Sequence, residues 1–279
     1  MIKSYSKINL FLKIFKKNNN GLHNIQSSVM LLNLYDQISI KTIAENKDKI
    51  KFVGKFKKNI SIKNNSIIKS LYLLRRHNFI NKKNRYKITI RKKIPVFAGL
   101  GGGTSNAVFL IKYFLKNKVS EKLLTIFEKE IGSDFRLFFY KHSFQKSLKK
   151  IVKFKKNFNF FFVLVYPHIN CSTKQIYSKV KKFNLPLKYD LSKVESKNKY
   201  LSFVKNEIND LQNIVENKHP KIKKTLDLLK LQKKCLFSRM TGSGSVCFGV
   251  YSDKKSANTS CRIIKKKFPN YWCIIAKSI

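Results

Sequence analysis

Acidic residues are scarce in this chain of 279 residues. It has 14 Asp and Glu against 60 Lys and Arg, which gives a formal net charge of +46. The lysines are spread along the whole chain, and Asn, Ile and Phe are also abundant, as an AT-rich coding sequence would favour. We therefore interpret the charge as mainly compositional, although its field attracts phosphate-rich molecules. A basic nucleic-acid-binding protein stays open as an alternative, which the salt dependence of binding distinguishes.

Cysteines are few and follow no metal-binding pattern. The five cysteines are Cys171, Cys235, Cys247, Cys261 and Cys273. They lack CxxC spacing, and an odd number without a pattern predicts reduced thiols in a reducing compartment. The longest apolar run, FFFVLVY at 160–166, is too short to span a bilayer. The first apolar stretch is interrupted by Lys7, Asn9 and Lys13, unlike a signal peptide. The sequence therefore predicts a cytoplasmic protein without a membrane partner.

Glycine is also rare, yet four of the ten glycines lie in AGLGGGTSNAV at 98–108. Consecutive glycines expose backbone N–H groups that can form an anion-binding nest. The helix expected to begin near Thr104 adds free N–H groups and a positive dipole end. The hydroxyls of Thr104 and Ser105 can bind a phosphate oxygen or Mg²⁺. The stretch is neither a Walker A motif, which needs a lysine, nor a Rossmann fingerprint. It predicts a nucleoside-triphosphate site, with a glycine-rich turn or linker as the alternative.

Strand and helix patterns alternate irregularly, which favours an α+β fold over a doubly wound parallel sheet. Strands are expected at KINLFLKIF, YDQISIKTI, YKITIRKKI, FNFFFVLVYP and 271–276, with a strand–turn–strand at CLFSRMTGSGSVCFGVYS. Helices are expected at 65–79 with Asn65 or Ser66 as N-cap, after Ser120, and at 173–183, 201–216, 220–233 and 254–267. The basic, irregular stretch 141–157 is the most natural boundary, so we expect domains at 1–152 and 153–279.

Three further places carry candidate functional side chains. Lys7 and Asn9 lie on the same side of a predicted strand, because side chains alternate along a strand. Asp134 follows a predicted helix and a Gly-Ser turn in a chain with few acids. TGSG at 241–244 predicts a tight turn between strands. Taken singly, each has an ordinary explanation as a solvated lysine, a helix-ending residue or a hairpin turn.

Taken together, these motifs resemble the GHMP small-molecule kinases. A strand with a lysine is followed by PVFAGLGGGTSNA, then GSD, then TGSG. With GLHNIQSSVMLLNLYDQISI and NDLQNIV, the resemblance covers nearly the whole chain. It implies a two-domain α+β fold, with a ribosomal protein S5 domain 2-like N-terminal domain and a ferredoxin-like α/β C-terminal domain. The active site would lie in the cleft between them.

The resemblance also implies an activity. It is ATP-dependent phosphorylation of the 2-hydroxyl of a CDP-linked methylerythritol, assisted by Mg²⁺, in the non-mevalonate route to isoprenoid precursors. The His23 segment favours a nucleotide-linked substrate. A kinase of the same superfamily that acts on homoserine, mevalonate or a sugar stays open. No specific nucleic-acid partner is expected.

Individual roles follow from the same resemblance. Asp134 would be the catalytic carboxylate, and Lys7 its partner, which keeps it ionised and offsets charge during phosphoryl transfer. The ATP-binding residues would be Pro95, Val96, Phe97, Ala98, Gly99, Leu100, Gly101, Gly102, Gly103, Thr104 and Ser105. The substrate-binding residues would be Asn9, His23, Thr173 and Tyr177, with His23 on the cytosine and Tyr177 stacked on its ring. Thr104 or Ser105 would hold Mg²⁺.

Four places depart from the family's pattern. Phe97 stands at the entrance of the glycine stretch, where a small residue is usual, and its bulk would narrow the nucleotide pocket. Leu22 stands where a tyrosine commonly contacts the cytosine. Arg136 replaces a proline and is expected to pair with Asp134 or with a phosphate. The stretch after the Asp134 motif lacks the family's glycines. The residues assigned to catalysis are retained, so we expect an active enzyme, with a decayed kinase as the alternative.

Overall fold

The computed structural model describes residues 1–19 and 21–279. The chain forms two compact units, and each is built from separate segments. Unit 1 comprises Met1–Ser6, Leu34–Val96 and Gly101–Phe139, and unit 2 comprises Lys7–Asn33, Phe97–Leu100 and Tyr140–Ile279. The glycine stretch is therefore divided between the units after Leu100. The expected domain division between residues 152 and 153 stays a prediction.

The strands of the described residues are β1 (Ile2–Asn9), β2 (Lys13–Lys17), β3 (His23–Ile43), β4 (Lys49–Val53), β5 (Arg85–Arg91), β6 (His142–Gln145), β7 (Ile151–Lys153), β8 (Phe161–Tyr166), β9 (Phe237–Met240), β10 (Cys247–Tyr251) and β11 (Trp272–Lys277). The helices are α1 (Ser66–Arg76), α2 (Gly102–Phe114), α3 (Glu121–Ile131), α4 (Thr173–Tyr177), α5 (Lys197–Asn206), α6 (Gln212–Lys218), α7 (Pro220–Lys230) and α8 (Lys254–Lys267).

Unit 1 contains the helices α1, α2 and α3, together with β4, β5 and the second half of β3. The second half of β3 pairs antiparallel with β5, and β5 pairs parallel with β4. In α1, Ile67, Leu71 and Leu74 recur at helical spacing and are buried. Asn65 caps this helix, because its side-chain oxygen accepts from the N–H groups of the second and third helical residues. The predicted helix and its cap are confirmed.

Unit 2 contains a four-stranded antiparallel sheet in the order β11-β8-β10-β9. The strand β8, one of the two inner strands, is buried, as its uninterrupted apolar sequence predicts. Ile222, Leu226 and Leu229 on α7 share a core with Val163 and Val165 of β8. In the same unit, the first half of β3 pairs with β2 and with β6, and β6 pairs with β7.

Four of the predicted elements are wrong. The strand expected at KINLFLKIF is divided into β1, which ends at Asn9, and β2, which begins at Lys13. The helix expected at 173–183 ends at Tyr177, and the helix expected at 201–216 is divided into α5 and α6. The break has a physical cause, because the backbone around Asn209 bonds to Leu12: Leu12 N donates to Ile208 O at 3.1 Å, and Asp210 N donates to Leu12 O at 2.8 Å. The stretch 141–157, expected to be irregular, contains β6 and β7.

The other elements follow the sequence patterns. Ser120 caps α3, the TGSG turn joins β9 to β10, and the last helix spans 254–267 as expected. Across 1–19 and 21–279, no helix is both long enough and apolar enough to cross a membrane.

Candidate active site

Lys7 and Asn9 lie together at the end of β1 in unit 2. Lys7 is 4% exposed, and its ammonium group donates to the side-chain oxygen of Asn9. The Asn9 amide donates to the Ser27 hydroxyl at 2.8 Å, and its backbone N–H donates to the Thr241 hydroxyl at 2.9 Å. Both side chains therefore lie on one side of the strand, as predicted, in a network that fixes their orientation.

The first half of the glycine stretch contacts the TGSG turn. The backbone N–H of Lys7 donates to Leu100 O at 3.0 Å. Gly99 has φ +78°, and a Cβ built on it would lie 2.1 Å from the carbonyl oxygen of Thr241. Only glycine fits such an approach, because any side chain would overlap the turn. Asn209 also holds the turn, because its amide donates to Met240 O and Gly242 O, each at 2.8 Å.

Phe97 begins this half of the stretch in a left-handed conformation, with φ +53°, and its side chain is 53% exposed. This backbone conformation gives a physical reason for a glycine at the position, because a side chain there is strained. The Phe97 carbonyl accepts from Cys171 N at 3.1 Å, which ties the stretch to the segment before α4.

In unit 1, the second half of the stretch forms the start of α2. The helix begins at Gly102, two residues before the expected position. Its N-cap, Gly101, has φ +69° and carries no side chain to satisfy the first N–H groups. A Cβ built on Gly103 would have no neighbour within 4 Å, and Ser66 at the start of α1 donates to Gly103 O at 2.8 Å. The first turn of α2 can therefore accept an anion on its open side.

The two hydroxyls after the glycines differ in their surroundings. Ser105 is completely buried, and its hydroxyl bonds to the Ser4 hydroxyl at 2.7 Å and to Tyr5 O at 2.5 Å. Thr104 is partly exposed. Among the described residues, no group of three or more His, Cys, Asp and Glu side chains could hold a metal ion. A cation here would take oxygen ligands from Thr104 and from bound phosphates.

A buried ion pair supports the chain that enters the glycine stretch. The ammonium group of Lys92 donates to Asp36, and both side chains are almost completely buried. The other carboxylate oxygen of Asp36 accepts from Lys93 N at 2.7 Å and Ile94 N at 2.9 Å. The Lys92 nitrogen would lie 3.3 Å from a Cβ built on Gly102. The pair therefore orients the backbone just before Pro95 and lies against the first residue of α2.

Asp134 is fixed by the turn that follows α3. Its carbonyl accepts from Leu137 N at 3.1 Å, in a short 3-10 helix in which Phe135, Leu137 and Phe138 are buried. The side chain of Asp134 is partly exposed. A Cβ built on Gly132 would lie 4.0 Å from the Thr104 hydroxyl, so the turn lies beside the first turn of α2.

The guanidinium group of Arg136 forms hydrogen bonds with side chains of α3. It donates to Glu128 at 2.8 Å, to Glu121 at 2.6 Å and to Thr125 at 2.9 Å. These two carboxylates raise the pKa of Arg136, although burial opposes them. The sequence led us to expect that Arg136 pairs with Asp134 or with a phosphate. Its pairing with Glu121 and Glu128 was not among these expectations. Arg136 therefore braces the Asp134 turn against the helix before it.

His23 lies in an aromatic group of unit 2. Its ring centroid is 5.3 Å from that of Tyr177, and 6.1 Å from that of Phe183. Burial, and then the charge of Lys17, lower the pKa of His23. A neutral imidazole offers one donor and one acceptor, which suits the edge of an aminopyrimidine. Thr173, on the same short helix as Tyr177, bonds through its hydroxyl to Ser243 in the TGSG turn at 3.0 Å.

Sequence reasoning missed several supporting residues. Asn209 lies in the quoted NDLQNIV, but its role in holding the TGSG turn appears only in the structure. The ion pair of Asp36 and Lys92 could not be recognised in the sequence, because lysine is so abundant that Lys92 does not stand out. Phe183 falls in a segment that was expected to be helical.

Two family models match the chain. Residues 65–135 match the GHMP kinases N terminal domain, and residues 198–270 match the GHMP kinases C terminal region. Together these matches cover more than half of the chain.

Curated relatives and solved structures agree with these models. The chain is 38% identical to the 4-diphosphocytidyl-2-C-methyl-D-erythritol kinase of Pelagibacter ubique (strain HTCC1062), over 100% of this chain and 98% of that protein. It is 31% identical to the kinase of the same name from Wolbachia pipientis wMel, over 97% and 96%. A crystal structure of 4-(cytidine 5'-diphospho)-2C-methyl-D-erythritol kinase superposes with a TM-score of 0.76, at 18% identity and 98% coverage of both chains. A mevalonate kinase gives 0.69, at 16% identity, 99% of this chain and 98% of the other. At these identities, the structures show the fold alone.

Proposed function

This chain belongs to the GHMP kinases, and within them to the 4-diphosphocytidyl-2-C-methyl-D-erythritol kinases, so we propose that it phosphorylates the 2-hydroxyl of CDP-linked methylerythritol with ATP. It is an ATP-dependent small-molecule kinase. The observation that carries the substrate assignment is the likeness, along the full length, to relatives of that name. The step would belong to the non-mevalonate route to isoprenoid precursors.

Asp134 is the group that we assign to the reacting hydroxyl. Its backbone is fixed by the buried apolar residues of the following turn, and its side chain stays accessible. A carboxylate in this role orients the hydroxyl and accepts its proton as the phosphoryl group is transferred. We assign Lys7 as the cation that favours the ionised carboxylate. Its burial strengthens its electrostatic effect, because charges interact more strongly away from water.

The glycine stretch supplies backbone donors for the phosphates of ATP. The open side of Gly103 and the uncapped first turn of α2 fit an anion, because no side chain fills the space. Mg²⁺ neutralises phosphate charge when it is bound. Thr104 is the hydroxyl that we propose for it, because the Ser105 hydroxyl is already used by Ser4 and Tyr5.

The base of the substrate would be recognised by His23 and Tyr177. The lowered pKa of His23 keeps the imidazole neutral near pH 7, which supports edge recognition of a cytosine. Asn9 and Thr173 both bond to the TGSG turn, through Thr241 and Ser243, and would contact the rest of the substrate.

The test is a coupled assay of ADP release with CDP-methylerythritol, Mg²⁺ and ATP. We expect turnover by the wild type and a fall of roughly 10² or more in kcat for Asp134→Asn, as for the loss of a positioned base. Asp227→Asn, an exposed carboxylate on α7, is the matched control and should keep full activity. Equal kcat values for Asp134→Asn and the control would refute the assigned role. Turnover of homoserine or mevalonate without turnover of the CDP compound would refute the substrate.

A further inference from the structure

Lys112 lies in the last turn of α2, and no motif predicted a role for it. Its ammonium group donates to the carbonyl oxygen of Phe138 at 2.9 Å, in the 3-10 helix that follows Asp134. The same nitrogen lies 4.2 Å from the ring centroid of Phe139 and 5.2 Å from that of Phe109. A cation is attracted to the negative face of an aromatic ring. One carbonyl and two rings therefore hold the ammonium group between α2 and the 3-10 helix, within unit 1.

The contact between Lys112 and Phe138 belongs to the packed interior of unit 1. The ammonium group is largely withdrawn from water, and this burial lowers the pKa of Lys112 to about 8. The side chain is still mostly protonated at pH 7. A carbonyl oxygen near the end of a helix lacks an internal partner, and a positive charge at that end is favourable. Lys112 supplies both to the 3-10 helix.

The turn that carries Asp134 follows α2 from the first turn of the helix to the last. At one end, a Cβ built on Gly132 would lie 4.0 Å from the Thr104 hydroxyl. At the other end, Phe138 is bound by Lys112. The rise from Thr104 to Lys112 along α2 is about 12 Å. The rise from Gly132 to Phe138 is also about 12 Å at the spacing of a 3-10 helix. Because the two paths match in length, the contact at Phe138 fixes where Asp134 lies along α2.

We propose that Lys112 is a positioning residue for phosphoryl transfer, which places the Asp134 carboxylate relative to the start of α2 by holding the 3-10 helix at Phe138. The inference rests on the proposed function, because Lys112 acts through Asp134 in its assigned role. Arg136 holds the same turn against α3, so two cations fix the turn to two helices. Lys112 is not itself a catalytic residue, because its ammonium group contacts the carbonyl and the rings.

The first experiment compares Lys112→Met, Lys112→Arg and Lys129→Met in the coupled assay. Methionine keeps an unbranched apolar chain but has no donor for Phe138. Displacement of a reacting group by about 1 Å is costly, so kcat should fall roughly 10- to 100-fold. The KM values for ATP and CDP-methylerythritol should stay within about twofold. Lys112→Arg keeps a cationic donor and should restore kcat to within about threefold of the wild type. Lys129, exposed in the last turn of α3, is the matched control, and Lys129→Met should keep full activity.

The second experiment separates positioning from a loss of stability. Lys112→Met is combined with Asp134→Asn, and kcat is measured on protein whose folded fraction is checked by urea unfolding. Because Lys112 acts through the carboxylate, its loss should lower kcat little further once the carboxylate has been removed. A general weakening of unit 1 would lower kcat by the same factor in both backgrounds, and this result would overturn the proposal. If Lys112→Met does not fold, Lys112→Gln, whose shorter side chain carries no charge, replaces it with the same expected result.

The outcomes separate this inference from the proposed function. A fall in kcat for Lys112→Met that is absent in the Asp134→Asn background supports both. Wild-type turnover with equal kcat values for Lys112→Met and Lys129→Met overturns the role of Lys112 alone. A wild type that does not turn over CDP-methylerythritol overturns the proposed function, and the inference with it. Asp134→Asn with the wild-type kcat overturns the assignment of Asp134, and therefore also the inference.

Discussion

His142 makes the stability of this protein depend on pH. The imidazole is buried in unit 2, stacked on Phe154 with 3.6 Å between centroids, and its Nε2 bonds to the Tyr200 hydroxyl at 3.0 Å. Among the described residues, Nδ1 has no hydrogen-bond partner. Burial lowers the pKa of His142 to about 3, from an ordinary value of 6.5. The folded protein therefore holds this imidazole neutral.

The sign and size of the effect follow from proton linkage. Between pH 6.5 and pH 3 the unfolded chain binds a proton that the folded protein does not, so stability falls as the pH falls through this window. With pKa values of 6.5 unfolded and about 3 folded, the loss between pH 8 and pH 5 is about 2 kcal/mol. Burial also lowers the pKa values of His23 and His219, which act in the same direction.

Urea unfolding of the wild type and His142→Phe at pH 8 and pH 5 measures this contribution. Phenylalanine can keep the stack on Phe154, and the hydroxyls of Ser28 and Tyr200, which bond to each other at 2.6 Å in the wild type, should keep this partner. We expect the wild type to lose about 2 kcal/mol more than the variant on acidification, because all other groups titrate alike in both proteins. His168→Gln, at an exposed position, should behave as the wild type. Equal losses for wild type and His142→Phe would refute the reasoning.

Urea unfolding of two further variants, Asp36→Asn and Gly99→Ala, tests which contacts support the glycine stretch. Asp36→Asn leaves the Lys92 ammonium group buried without a carboxylate and should cost about 3–5 kcal/mol. The exposed Asp227→Asn should cost less than about 0.5 kcal/mol, and similar values for the two would contradict the role of the ion pair. Gly99→Ala combines a positive φ with a Cβ 2.1 Å from Thr241 O, and should cost about 2 kcal/mol or more. Gly103→Ala is its matched control, because a Cβ there has no neighbour within 4 Å. Equal stabilities of the two variants would show that the turn moves away from the added Cβ without a cost in stability.

The parts of the fold that could be predicted are those encoded locally. The cap and apolar face of α1, the Ser120 cap of α3, and the strand–turn–strand of β9 and β10 are each specified within about 20 residues of sequence. The glycine stretch was recognisable for the same reason, since four glycines and a following helix lie together. The same dependence on local patterns explains why β6 and β7 were not predicted. Their lysine-rich stretch lacks a strict alternation of apolar and polar residues.

The supporting contacts could not be predicted, because they join distant residues. Gln26 bonds to Leu187, which is 161 positions away, and Asp36 bonds to Lys92, which is 56 away. No spacing rule connects such pairs. Taken alone, each of these polar side chains is equally well explained as a solvent-exposed surface residue. Ser105 is a further example: its motif indicates a ligand for phosphate or Mg²⁺, which stays a prediction, and the structure adds that its hydroxyl fastens α2 to β1.

The segmented make-up of the two units has a consequence for synthesis of the protein. Unit 1 is complete once residue 139 has been made, but residues 7–33 belong with a partner segment that ends at residue 279. At ordinary ribosomal rates, that early segment waits roughly 10 to 50 s for its partner. Meanwhile its apolar strands expose unpaired edges, the condition in which nascent chains aggregate or engage chaperones. Since no single cut yields the two units, heterologous production should benefit from chaperones more than from expression of fragments.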